Sequence, residues 1–236
     1  SLRSKRWDGE VGLVDNPCPA AAADDPGIAG HDWPQLCRYR ADNRRLLARG
    51  ARPDVVMIGD SITANWHEAE PQRFDDRIVN RGIGRQTTQQ LLLRFPDDVL
   101  ALKPRVVHIL GGTNDALGVH GPTTLDNVAA NIDAMVALAR AHGIVPVLAT
   151  ETFNPTYRRA QGSNVVKIGK VNAWLRDYAN AHHIPLADYE AVLRRADNPA
   201  RPLLWDDGIR PTREAYRLMD AELERALAEA LSPLPS

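Results

Sequence analysis

The sequence predicts one α/β domain of three layers, with helices on both faces of a parallel sheet of about five strands. Three observations carry this. Short β-branched runs end in glycine or a small polar turn, longer stretches at helical spacing separate them, and the composition is that of an ordinary globular protein. The chain has 236 residues, 44% hydrophobic and 25% charged, which suits one fairly large domain able to bury its own core.

Residues 1–50 read as an irregular lead-in followed by a helix over 34–49, which Gly50 and Pro53 end. Residues 51–236 read as a single globular unit. Val55-Val56-Met57-Ile58, closed by Gly59, is the first buried strand. Arg77-Ile78-Val79-Asn80 is the second. Arg105-Val106-Val107-His108-Ile109-Leu110, closed by Gly111-Gly112, is the third. Ile144-Val145-Pro146-Val147-Leu148-Ala149 is the fourth, and Ile184-Pro185-Leu186-Ala187 a weaker fifth. The clearest helix starts at Gly121-Pro122, with Leu125, Val128, Ile132, Met135 and Ala139 on one face and Gly143 closing it. Ser163 is placed to cap the next, whose stripe is Ile168, Val171, Leu175 and Tyr178. A last helix runs from about Pro211 to Leu231.

The net charge of −1 gives no electrostatic case for nucleic acid, and no stretch approaches the roughly 20 apolar residues that span a bilayer. Neither cysteines, histidines nor carboxylates show metal-ligand spacing. The chain opens Ser1-Leu2-Arg3, which reads as a processed or trimmed form. Cys18 and Cys37 are either two reduced thiols or a disulfide tying the lead-in to the first helix. The Pro-, Ala- and Gly-rich flank, which needs a tether, favours the disulfide, and with it a secreted or periplasmic protein whose signal peptide has been removed.

In such a sheet, ligands bind beyond the carboxyl ends of the strands. Gly59-Asp60-Ser61-Ile62-Thr63 follows the first strand, Asn80-Arg81-Gly82-Ile83-Gly84 the second, and Gly111-Gly112-Thr113-Asn114-Asp115 the third. Alone, Ser61 reads as a helix cap, Asn114 as a turn former and Gly82 as a source of positive φ. Together they read as a nucleophile at a helix N-terminus, a side-chain amide and a close-approaching backbone N–H. After the fourth strand, Glu151, Phe153 and Tyr157 either contact substrate or pack the loop. Arg85 is either a solvated loop charge or an anion contact.

These clusters resemble the blocks of the SGNH hydrolases, also called the GDSL lipase/esterase family, over roughly residues 50–230, and closest to their carbohydrate-esterase and acetylhydrolase-like branches. The resemblance implies a flavodoxin-like sheet of order 2-1-3-4-5 and cofactor-free hydrolysis of small acyl esters, acetyl groups on carbohydrate among them. It implies Ser61 as nucleophile, Gly82 and Asn114 as oxyanion donors and Asp207 as the group that orients a base. The family's last block is Asp-x-x-His-Pro. Here Asp207-Gly208-Ile209-Arg210-Pro211 stands in its place.

Arg210 therefore occupies the general-base position. A guanidinium has five donors and no acceptor and stays protonated near neutral pH, so the triad is broken as written. Of the seven histidines, only His120 follows a site block closely enough to be considered as a substitute base. Arg210 reads as an engineered loss of activity, as a natural change leaving a ligand- or anion-binding module, or as a cation that pairs with Asp207 beside Ser61 and Arg85. The expected partner is a small-molecule or carbohydrate ester, with neither nucleic acid nor membrane. A nucleotide- or flavin-binding protein is the remaining rival, but Gly82-Ile83-Gly84 lacks dinucleotide-loop spacing and no phosphate-loop motif is present.

Overall fold

The computed structural model describes residue 18 and residues 32–157, 165–198 and 202–232. The elements run α1 (Arg40–Ala48), β1 (Val55–Gly59), α2 (Ser61–Ala69), β2 (Ile78–Gly82), α3 (Thr88–Asp98), β3 (Val106–Leu110), α4 (Thr113–Leu117), α5 (Leu125–Ala141), β4 (Val145–Ala149), α6 (Val165–Ala181), β5 (Leu186–Ala187), α7 (Tyr189–Ala196) and α8 (Arg213–Leu231). The strands form one parallel sheet in the order β2-β1-β3-β4-β5. Fold class and strand order are thus those expected from the sequence.

Strand periodicity divides the core into two. Val56 and Ile58 of β1, with Val107 and Ile109 of β3, face α3, α5 and α6, where Leu91, Phe95, Ile132, Met135 and Leu175 are buried. Val55 and Met57, with Val106 and Leu110, face α2, α7 and α8, where Trp66, Tyr189, Met219 and Leu223 are buried. Both faces of the sheet are covered, which is why its strands read as continuous apolar runs.

Three expected elements are shorter than the pattern suggests: α5 starts at Leu125, where the Thr124 side chain caps it by accepting the Asn127 N–H, and Pro122 lies before it. Helix α1 starts at Arg40, not at 34. Residues 32–39 form a turn-rich strap in which the Asp32 carboxylate accepts the N–H groups of Leu36 and Cys37. Strand β5 keeps only two residues. The expected cap at Ser163 lies outside the described residues. Cys18 and Cys37 are joined in a disulfide, with their Cα atoms 5.4 Å apart.

Candidate active site

The turn after β1 is built by Asp60. Its Oδ1 accepts the Ile62 N–H at 2.9 Å and so caps α2, the task that the plain reading gave to Ser61. Ser61 is thereby the first residue of the helix, half-exposed at the carboxyl edge of the sheet. Neither Arg210 nor any histidine among the described residues hydrogen-bonds it.

Helix α2 lies tight against the strand ends. A Cβ on Gly82 would meet the Ala64 amide nitrogen at 2.2 Å, so only glycine fits. The Gly82 N–H already donates to Asn80 Oδ1 at 2.8 Å, and its carbonyl accepts the Tyr39 hydroxyl. This revises its expected role: Gly82 is required for packing, and its N–H is committed. The next residues come closer to the nucleophile. A Cβ on Gly84 would lie 3.8 Å from that of Ser61, and Arg85 turns the chain at φ +67°. Neither the Gly84 nor the Arg85 N–H has a partner among the described residues. The Arg85 side chain is exposed.

Asn114 is buried in the first turn of α4, and its side chain bonds the residue before Ser61 and the residue after Arg85. Its Nδ2 donates to Asp60 Oδ2 at 3.0 Å and to the Gln86 carbonyl at 2.9 Å. Gln86 is fixed in turn: its side-chain amide donates to the Pro34 carbonyl of the strap, and its Oε1 accepts from Arg94 Nε. Asp115 takes the Thr88 N–H and hydroxyl at 2.9 and 2.7 Å, tying α4 to α3.

Asp207 and Arg210 lie on a short hairpin before α8, bridged at Leu204 and Pro211. The loop after β4 holds that hairpin, because Thr152 Oγ1 donates to the Ile209 carbonyl and the Asn154 N–H to that of Gly208. Asp207 Oδ1 accepts the N–H groups of Ile209 and Arg210, at 2.9 and 3.0 Å, and Oδ2 accepts from Arg210 Nε. Partial burial works against the Asp207 charge, but these donors outweigh it and hold the carboxyl below its ordinary range. The Arg210 guanidinium also sits 5.2 Å from the centroid of the exposed Trp205 ring.

Other expectations are corrected. Glu151 is fully buried, with Oε2 accepting from Thr113 Oγ1 at 2.8 Å, so it is walled off from substrate. Phe153 is buried and the Tyr157 hydroxyl donates to Asp197 Oδ1, so both pack the loop. His120 stands edge-on against Trp33, and His108 is buried with Nε2 2.9 Å from the Tyr189 hydroxyl. Burial pushes the His108 imidazole down to about 3, so it is neutral. The sequence reading placed Asp60 and Asn80 in the clusters after the first two strands without giving them a role, and it did not name Gln86, which nothing local marks.

A cleft of about 500 Å³ opens beside α4, floored by Leu117, Leu125, Val128 and Val171 and edged by Lys167 and Lys170. Among the described residues, no group of three or more His, Cys, Asp or Glu is arranged to hold a metal, and no helix is long and apolar enough to cross a membrane.

Comparison with known proteins agrees with this fold. Residues 57–218 match the profile of the GDSL-like lipase/acylhydrolase family, and the chain belongs to that family. An uncharacterized lipoprotein of Bacillus subtilis is 36% identical over 115 residues, 41% of this chain and 47% of that protein. Bovine platelet-activating factor acetylhydrolase IB subunit alpha1 is 30% identical over 158 residues, 62% of this chain and 65% of that protein. The matches thus span about half to two thirds of these relatives. The crystal structure of a GDSL-like lipase from Bacteroides thetaiotaomicron superposes with a TM-score of 0.72 at 32% identity, covering 85% of this chain and 100% of that one.

Proposed function

We propose that the chain is a serine ester hydrolase for small acyl esters, acetyl esters foremost, whose turnover is impaired by Arg210. Ser61 Oγ is the nucleophile, at the positive end of α2. Asn114 Nδ2 and a backbone N–H of the Gly84–Arg85 turn are the oxyanion donors, the latter replacing the committed N–H of Gly82. Asn114 must give up the Gln86 carbonyl or Asp60 to serve, so the resting site is not fully set for the tetrahedral intermediate. The acetyl preference is supported by the acetylhydrolase relatives, and the cleft beside α4, which mixes apolar side chains with Lys167 and Lys170, offers room for the non-reacting part of an ester. A carbohydrate alcohol and an exported location remain part of the proposal, the second supported by the disulfide and the lipoprotein relative.

The observation that carries the impairment is the Arg210–Asp207 pair. The carboxylate that would orient an imidazole is taken up by a guanidinium, which cannot accept the Ser61 proton. The test is aryl acetate hydrolysis by the chain beside Arg210→His. The expected result is poor turnover in the first and a rise of orders of magnitude in the second, because oxyanion donors and binding alone leave about 10³–10⁴ over water in serine hydrolases. Full activity of the unaltered chain would overturn the impairment. Silence in both proteins would favour a binding module on the same scaffold.

A further inference from the structure

We propose that Asp60 and Glu151 act as a carboxyl pair holding a single negative charge under Ser61, with the proton on Glu151, and that this pair positions Asn114. The positioning half rests on the reading of Asn114 as an oxyanion donor; the proton half does not.

The two carboxyls lie at the same carboxyl edge of the sheet, Asp60 after β1 and Glu151 after β4, on either side of β3, whose following helix α4 both of them hold. Both are fully buried, and no Lys, Arg or His among the described residues forms an ion pair with either. Each is wired to the start of a helix. Asp60 Oδ1 caps α2, which carries Ser61, and Asp60 Oδ2 takes the Asn114 amide. Glu151 Oε2 takes the hydroxyl of Thr113, the first residue of α4 and the neighbour of Asn114. The helices that bring the nucleophile and the side-chain donor are thus held at their N-termini by one pair of acids.

Two carboxylates buried side by side without a cationic partner do not both stay ionised, because each loses hydration on burial and repels the other. Hydrogen bonding decides which one keeps the proton. Asp60 accepts two N–H groups at a helix N-terminus, an arrangement that suits an anion. Glu151 has one hydroxyl partner, and its Oε1 is buried with none. A bare oxygen is tolerable on a neutral acid and costly on a carboxylate.

The surrounding groups point the same way. Asp115, from α4, faces both acids with a carboxyl itself raised by burial. Glu190 of α7 is joined to the Glu151 carbonyl through the Asn172 amide, but its charge is met by Arg176 at 2.9 Å and Arg194 at 3.4 Å. Tyr216 of α8 donates to the Ile62 carbonyl and is a neutral phenol. Arg94 donates to the Gly59 carbonyl, but its charge is spent on Asp98. Burial pushes Asp60 up to about 7 and Glu151 well above its ordinary value. The pair therefore gives up its first proton from Asp60 near neutrality and keeps the second.

Two spectroscopic readings test the proposal without needing turnover. Infrared difference spectra at pH 8 should show the carbonyl band of a buried carboxylic acid, lost in Glu151→Gln and kept in Asp60→Asn. A missing band in the parent, or one that survives Glu151→Gln, would overturn the proton assignment. Should Glu151→Gln fail to fold, the parent grown with glutamate labelled with carbon-13 at its side-chain carboxyl still decides, since the band should shift with the label and an unshifted band would put the proton on an aspartate. The Asn114 side-chain amide resonances should titrate near neutrality in the parent and not in Asp60→Asn. Resonances indifferent to pH would sink the positioning half and leave the esterase reading to the aryl acetate assay.

Discussion

Gly59 and Gly82 show how little space the site leaves at the residue scale. A Cβ on Gly59 would meet Thr63 Oγ1 at 2.1 Å and the Leu110 carbonyl at 2.7 Å, and one on Gly82 would run into the α2 backbone. Gly82→Ala is therefore expected to destabilise the fold by about 2 kcal/mol or more, because backbone cannot yield as a side chain does. Urea titration measures this, and a midpoint equal to the parent's would mean that α2 can slide. Ser61→Ala is the opposite case. Its hydroxyl caps nothing and lies at a half-exposed edge, so Tm should stay near the parent value, while Ser61→Ala added to Arg210→His should abolish the acetate hydrolysis that the histidine restores. Residual turnover that survives this change would place the nucleophile elsewhere.

At the scale of elements, α3 is held from inside by a charge. Arg94 is fully buried, pairs with Asp98 at 2.8 Å, donates to the Gly59 carbonyl and holds Gln86, whose carbonyl holds Asn114. Arg94→Met is expected to cost about 3–5 kcal/mol, because Asp98 is left buried without its partner. Changing Asp98→Leu as well should recover much of that loss, and a double variant no more stable than the single one would argue against this account. This element also marks where sequence reading runs out. The strands are legible because both faces of the sheet are covered, and the turns after β1, β2 and β3 are legible because each sets small residues beside a polar one. Helix α3 does not stand out, because its inner face carries Gln90, Arg94 and Asp98 and it contains Pro96. Likewise, the sequence places Ser61 and Asn114 at one sheet edge. It cannot show that Asp60, Gln86 and Glu151 hold them, since that depends on what elements distant in the chain desolvate.

For the molecule as a whole, the disulfide and the buried acids set how stability responds to conditions. The bridge spans 19 positions and anchors the strap whose Pro34 carbonyl accepts from Gln86, so reduction should lower stability by about 3 kcal/mol. Thermal melts with and without reductant measure it, and an unchanged Tm would mean the strap holds without its tether.

Protons act over a definite window. Asp60, raised in the folded state to about 7, binds its proton more tightly folded than unfolded. Its contribution is fully present below the unfolded value near 4 and is lost as pH rises through about 7. Glu151 acts in the same direction and loses its contribution at higher pH. His108 opposes them: its folded value is lowered to about 3, so its contribution is present above the unfolded value near 6.5 and lost in acid. Asp207, held low by the Arg210 and Ile209 donors, also loses its contribution as pH falls. Asp60→Asn removes one of the two falling terms and leaves the rising ones. The stability of this variant relative to the parent should therefore climb between pH 4 and 8, by an amount on the order of a few kcal/mol for a shift of this size. Urea midpoints of both proteins across that range measure the climb. A difference that stays flat would mean that Asp60 is ionised throughout, and that water reaches the floor of the site.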